Sequence, residues 1–377
     1  MDKKNRFELT CLSRTIPDFT ARLFRAAYKS GDALMSPLSV YAALSMARAG
    51  ARGETLARLE AVLGPGAAQD ELELYLASTA DTWLYIASSI WLNERGFTPD
   101  EGFLADCARF ARAEAYVRPF SPDTISEIND WAWKNTLGMI DQIVDSFGPL
   151  DVMYLLNAVA FWDRWEVRYR DYAIRPDIFH GERGDAEVRM MHSTEQVYLK
   201  GDGFTGFLKP YSSRRNDGRA GARFSFAALL PDESAGLGGF LKGLSGKTLA
   251  EALENAQKRK VITEMPAFRS ESSFELAEPL GALGLEELFT DRADFSGMGE
   301  ASTGPLQVGG AKHKAFIRLD SEGTRAAAVT FLGMGPTAAY EPEPTPMVLL
   351  DRPFAYMIVD NQFNIPVFFG VVTGDAF

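Results

Sequence analysis

The sequence predicts an α+β fold, on two observations: helical periodicity crowds the first part of the chain, and strand-like runs dominate the last part without a repeating βαβ unit. The composition, 46% hydrophobic and 24% charged, supplies a large core. At 377 residues, length alone leaves one or two domains open.

The elements follow in order. Phe19, Leu23, Phe24 and Ala27 fall on one helical face before Gly31 breaks the pattern. Ser36-Pro37 then opens a second helix with proline in its first turn, and residues 53–63 (GETLARLEAVL) read as a third. Residues 83–92 (WLYIASSIWL) and 152–162 (VMYLLNAVAFW) are apolar runs of strand length, as strands buried on both faces would be. Between them, residues 121–144 start with a cap-like Ser-Pro-Asp and carry Ile128, Trp131, Ile140 and Ile143, which predicts one amphipathic helix over the whole stretch. Later strands are expected at 224–230, 261–268, 314–319, 354–359 and 366–372. Residues 333–346 (GMGPTAAYEPEPTP), with four prolines and no apolar periodicity, predict an exposed, extended segment of the kind proteases cut.

Several function classes are disfavoured. A net charge of −12 has the wrong sign for tracking phosphates, so neither nucleic acid nor an anionic membrane is an expected partner. No run reaches a membrane span, and the basic start (MDKKNRFEL) lacks a signal peptide's apolar region. The compartment stays open: extracellular or cell envelope if a signal was removed, cytoplasmic otherwise. Cys11 and Cys107 are read as buried or half-buried free thiols, a single bridge between them being the alternative, and no metal or cofactor is expected. His180, His192 and His313 form no HExxH, and no GxSxG accompanies them. Residues 241–248 (LKGLSGKT) end like a phosphate-binding loop but begin with Leu where Gly belongs, so a polar turn before a helix over 248–257 is expected there. Met190-Met191 reads as core filler, the tryptophans as core aromatics and Glu286-Glu287 as a solvated helix face.

Residues 33–53 (ALMSPLSVYAALSMARAGARG), 128–140 (INDWAWKNTLGMI), 156–166 (LNAVAFWDRWE), 265–268 (MPAF), 293–297 (ADFSG) and 351–354 (DRPF) resemble motifs of the serpin family, in the family's order. The most specific match is 312–330 (KHKAFIRLDSEGTRAAAVT), similar to the family's His-Lys-Ala strand running through Glu-Gly-Thr into an Ala-rich hinge. Departures are Ser321 and Arg325 where the family commonly has Glu, and Phe161-Trp162-Asp163 in place of Phe-Lys-Gly. High Ala and Arg usage points to a prokaryotic member.

The resemblance implies a single domain over 1–377, three β-sheets, about nine helices and a hinge and reactive-centre loop at 321–346. It implies an inhibitor of serine proteases, not an enzyme. The loop is cut, inserts as a strand into the central sheet and traps the acyl-enzyme. The hinge would comprise Gly323, Thr324, Ala326, Ala327 and Ala328. Counting from it puts the reactive bond between Thr337 and Ala338, which suits an elastase-like enzyme. Met334, Ala339 and Tyr340 are alternative cut residues, Tyr340 favouring a chymotrypsin-like one. Ser36, Ser39, Asn157 and His313 would form a polar cluster, the shutter, under the opening of the central sheet. Trp165 would mark the breach where the loop enters. A monomer partnered by its target protease is expected. The alternative is a non-inhibitory carrier, chaperone or storage protein.

Overall fold

A computed structural model describes residues 9–64, 66–95, 97–110, 114–148, 151–217, 220–302, 304–324 and 344–377. Among them lie nine α-helices, three large sheets and two two-stranded ribbons. The five-stranded sheet runs Phe268–Glu275, Gly310–Leu319, Met153–Phe161, Leu84–Asn93, Glu114–Arg118. A six-stranded sheet contains Ala33–Met35, Ile365–Val372, Phe354–Asp360, Phe224–Pro231, Phe204–Pro210 and Val197–Gly201. A four-stranded sheet contains Met347–Leu349, Val261–Pro266, Gly184–Glu195 and Ile174–Gly181.

The Pro37–Gly50 helix is buried along most of its length and contacts both Met153–Phe161 and Ile365–Val372, so it fills the space between the five- and six-stranded sheets. Every residue of Met153–Phe161 is buried, as its apolar run, interrupted only by Asn157, predicts. Gly310–Leu319 lies parallel to it, with Gly310 opposite Tyr154 and Phe316 opposite Ala160. This parallel seam is the feature that positions the site.

Four expectations need correction. The helix begun at Pro122 ends at Asn135, because Leu137 and Gly138 take left-handed backbone angles (φ 54° and 75°). Ile140, Ile143 and Val144 are buried as their spacing implied, but on irregular chain held by Asn129, whose Oδ1 accepts from the amides of Ile143 and Val144. The run at 261–268 is two strands: Val261–Pro266 belongs to the four-stranded sheet and Phe268–Glu275 to the five-stranded one. Glu287 is no solvated residue; it is buried, accepting from Thr55 Oγ1 and pairing with Arg58. Trp91, Trp131 and Trp165 are core residues, whereas Trp83 and Trp133 are 44% and 53% exposed. The 248–257 helix spans Gly246–Glu254, and a Cβ on Gly246 would meet Asp18 Cα at 2.4 Å, so this glycine serves close helix packing. Cys11 and Cys107 are free thiols.

Candidate functional site

The seam between Gly310–Leu319 and Met153–Phe161 is bridged midway by side chains. His313 and Asn157 are register partners, and Nδ1 of His313 lies 2.7 Å from Asn157 Oδ1. The Ser36 amide donates to His313 Nε2 at 3.0 Å, so Nε2 is the acceptor and the ring proton sits on Nδ1. Ser39 Oγ donates to the same Asn157 oxygen, while Asn157 Nδ2 donates to Ser39 O and Ser88 Oγ. Ser36 Oγ leaves its helix uncapped and donates instead to Val367 O in the six-stranded sheet. Helix, central sheet and six-stranded sheet thus meet in one buried, hydrogen-bonded knot. Burial drives the His313 pKa down to about 3, so the ring is neutral.

The upper end of the seam is clasped differently. Gly323 and Thr324 form a two-residue ribbon with Arg164 and Asp163. Gly323 has φ 143°, and a Cβ there would meet Asp163 O at 2.4 Å, so only glycine fits. Thr324 is buried, its hydroxyl 3.0 Å from Tyr211 Oη. Trp165 stacks on Tyr211 at 4.5 Å and donates twice across the seam, from Nε1 to Asp320 O (2.8 Å) and from its amide to Glu322 O (3.0 Å). The Tyr169 amide donates to Ser321 O, and Arg168 pairs with Glu322 at 2.5 Å. Asp163 is buried and accepts from Ser212 Oγ and the Ser213 amide; burial raises its pKa against those donors.

The structure therefore brings Ser36, Ser39, Asn157 and His313 together in one cluster, and Gly323, Thr324 and Trp165 in another. Ala326, Ala327, Ala328, Met334, Thr337, Ala338, Ala339 and Tyr340 lie outside the described residues. The chain re-enters as Met347–Leu349, parallel to Val261–Pro266, with Pro346 O accepting from the Ile262 amide. Sequence reasoning missed Ser88, Asp163, Tyr169, Glu195, Lys209 and Tyr211. Lys209 carried a signal: it shares strand parity with Phe207, and both are buried.

Comparison with known proteins gives one consistent answer. The family described as Serpin (serine protease inhibitor) matches residues 14–374. A serpin-like protein of Thermococcus kodakarensis is 30% identical over 372 residues, covering 94% of this chain and 84% of that protein. Leukocyte elastase inhibitor of Sus scrofa is 29% identical over 382 residues, covering 95% and 98%. The crystal structure of tengpin, a thermophilic serpin, in its native state superposes with a TM-score of 0.87 at 35% identity, covering 99% of this chain and 96% of that one.

Proposed function

The chain belongs to the serpin family of protease inhibitors, which are not enzymes and have a target protease as partner, and from that premise we propose that it traps elastase-like serine proteases. In this reading residues 1–377 form one serpin domain. The protease cuts the bait loop after Thr337. The freed hinge, led by Thr324, then enters the seam between Met153–Phe161 and Gly310–Leu319 while the acyl-enzyme is still attached.

One observation carries the reading: the hinge begins as a docked strand directly above a parallel seam that has room for an antiparallel newcomer once it parts. Counting alternately from the buried Thr324, the inward face is Ala326, Ala328, Thr330, Leu332 and Met334, all uncharged, so insertion buries no unpaired ion. Arg325 falls on the opposite parity. About a dozen new ladder hydrogen bonds, each worth roughly 0.5–1.5 kcal/mol, favour insertion by on the order of 10 kcal/mol. Residues 323–337 extended at about 3.3 Å each reach roughly 50 Å, enough to drag a tethered enzyme across the molecule. The uncharged inward hinge also favours inhibition over a carrier or storage role. The likeness to leukocyte elastase inhibitor, and Met334-Gly335-Pro336-Thr337 before the cut, support the small-pocket enzyme class.

The test is incubation with an elastase-like and a chymotrypsin-like protease, followed by denaturing electrophoresis and mass spectrometry of the released C-terminal peptide. The expected result is a denaturant-resistant band at the summed mass with the elastase-like enzyme and a peptide starting at Ala338. A peptide starting elsewhere removes Thr337, and cleavage with no such band removes the trap.

A further inference from the structure

A buried ion pair lies under the clasp at the top of the seam. Lys209 Nζ is 2.7 Å from Glu195 Oε1, with the side chains 2% and 9% exposed. Ser193 Oγ donates to the same carboxylate oxygen at 2.6 Å. The ammonium sits 4.2 Å from the ring centre of Tyr169 and 5.3 Å from that of Trp165, within cation–π range of both. These are the two residues whose amides hold the Ser321–Glu322 stretch, and Trp165 also holds Asp320 through its indole.

The connectivity gives this contact a consequence. Trp165 lies four residues beyond Met153–Phe161, just after the ribbon strand Asp163–Arg164, and Asp320 follows directly on Gly310–Leu319. Each bond from Trp165 to Asp320 or Glu322 therefore crosses the line along which the two strands must part. A buried ion pair adds little stability over a well-packed apolar pair, but it fixes geometry, because neither ion can leave without stranding the other. We propose that Lys209, held by Glu195, is a positioning residue of the clasp: it seats the Trp165 and Tyr169 rings against residues 320–322 and so sets how readily the upper seam opens to an incoming strand. This rests on the reading that a strand enters the seam.

The experiment compares wild type, Lys209→Met, Lys209→Arg and the double variant Lys209→Met/Glu195→Leu. Three quantities are read for the full chain: thermal midpoint, moles of inhibitor consumed per mole of protease trapped, and the rate at which uncleaved protein loses trapping activity on warming. Lys209→Met is expected to lose activity roughly thirtyfold faster, the scale of one desolvated cation–π contact. Lys209→Arg should restore the wild-type rate. The double variant, with no stranded charge, should recover the thermal midpoint yet keep the fast loss, which a merely structural pair would not do. A double variant that recovers both, or a Lys209→Met protein that changes neither, overturns the proposal. Should Lys209→Met fail to fold, the double variant and Lys209→Arg decide it. A wild-type protein that neither traps nor gains stability when cut removes the underlying reading instead, and that is visible before any variant is made.

Discussion

His313 shows how much one side chain can carry at this seam. Its ring accepts from the Ser36 amide and reaches Asn157 across the two strands, so it works only when neutral. A second ring proton would face a backbone N–H with no acceptor between them. The folded pKa is pushed from 6.5 to about 3, below the unfolded value, so unfolding takes up a proton in that interval. The stability contributed is fully present above pH 6.5 and is lost as pH falls toward 3, at about 1.4 kcal/mol per pH unit. A His313→Gln protein lacks this term. It should be less stable than wild type at neutral pH, and chemical denaturation at successive pH values should show the gap narrowing by about that amount per unit below 6.5. A gap independent of pH would mean the ring is charged or exposed in the native protein. These cluster residues were legible because each sits in a recognisable motif. Glu195 was not, since it closes a strand that also carries Asp185, Glu187 and Arg189, and the parity of Lys209 with Phe207 hints at burial without naming its partner fourteen positions away.

At the scale of elements, the hinge is a strand end whose inward side chain is already buried. Thr324 fits because it is small and its hydroxyl meets Tyr211. Thr324→Arg would put a guanidinium on that face, with a desolvation cost of several kcal/mol that insertion would have to overcome. The expected outcome is a protein still cut by the protease but no longer forming the denaturant-resistant band, turning inhibitor into substrate. Retained trapping would show that this parity does not enter the sheet. Other elements show where apolar spacing informs and where it misleads. Ile140 and Ile143 lie at helical spacing and are buried, yet their chain is irregular, because periodicity reports which side chains face the core and not the backbone beneath them. The hairpin Ile174–Gly181 with Gly184–Glu195 escaped notice because its first strand is mostly exposed, so the solvent face of the sheet left little hydrophobic pattern to read. The fully buried Met153–Phe161 and Ile365–Val372 gave predominantly apolar runs, and their ends match the expected ones within a residue or two.

For the whole molecule, the proposed insertion makes the two closures of the seam the contacts that a change of state would have to open. Below, parallel pairing and the His313–Asn157 bridge hold the strands together; above, Trp165 and the Gly323–Thr324 ribbon do. The parallel pairing of the two central strands ends at Phe316 opposite Ala160, just below the ribbon, so an added strand would start at the end of the paired seam. In the proposed mechanism, cutting the bait loop frees one end of the hinge, and every residue that then enters replaces one parallel interface with two antiparallel ones. The intact chain is thus expected to be the less stable form. A gain on the order of 10 kcal/mol from new ladder bonds, with an unfolding entropy of about 2.1 cal/mol/K per residue, implies a thermal midpoint higher by roughly 10–15 °C after limited cleavage. Calorimetry of intact and singly cut protein, with the two fragments kept together, measures this directly. A cut protein that melts at or below the intact one would mean that the seam does not admit the hinge, and the knot around His313 would then be a static core feature.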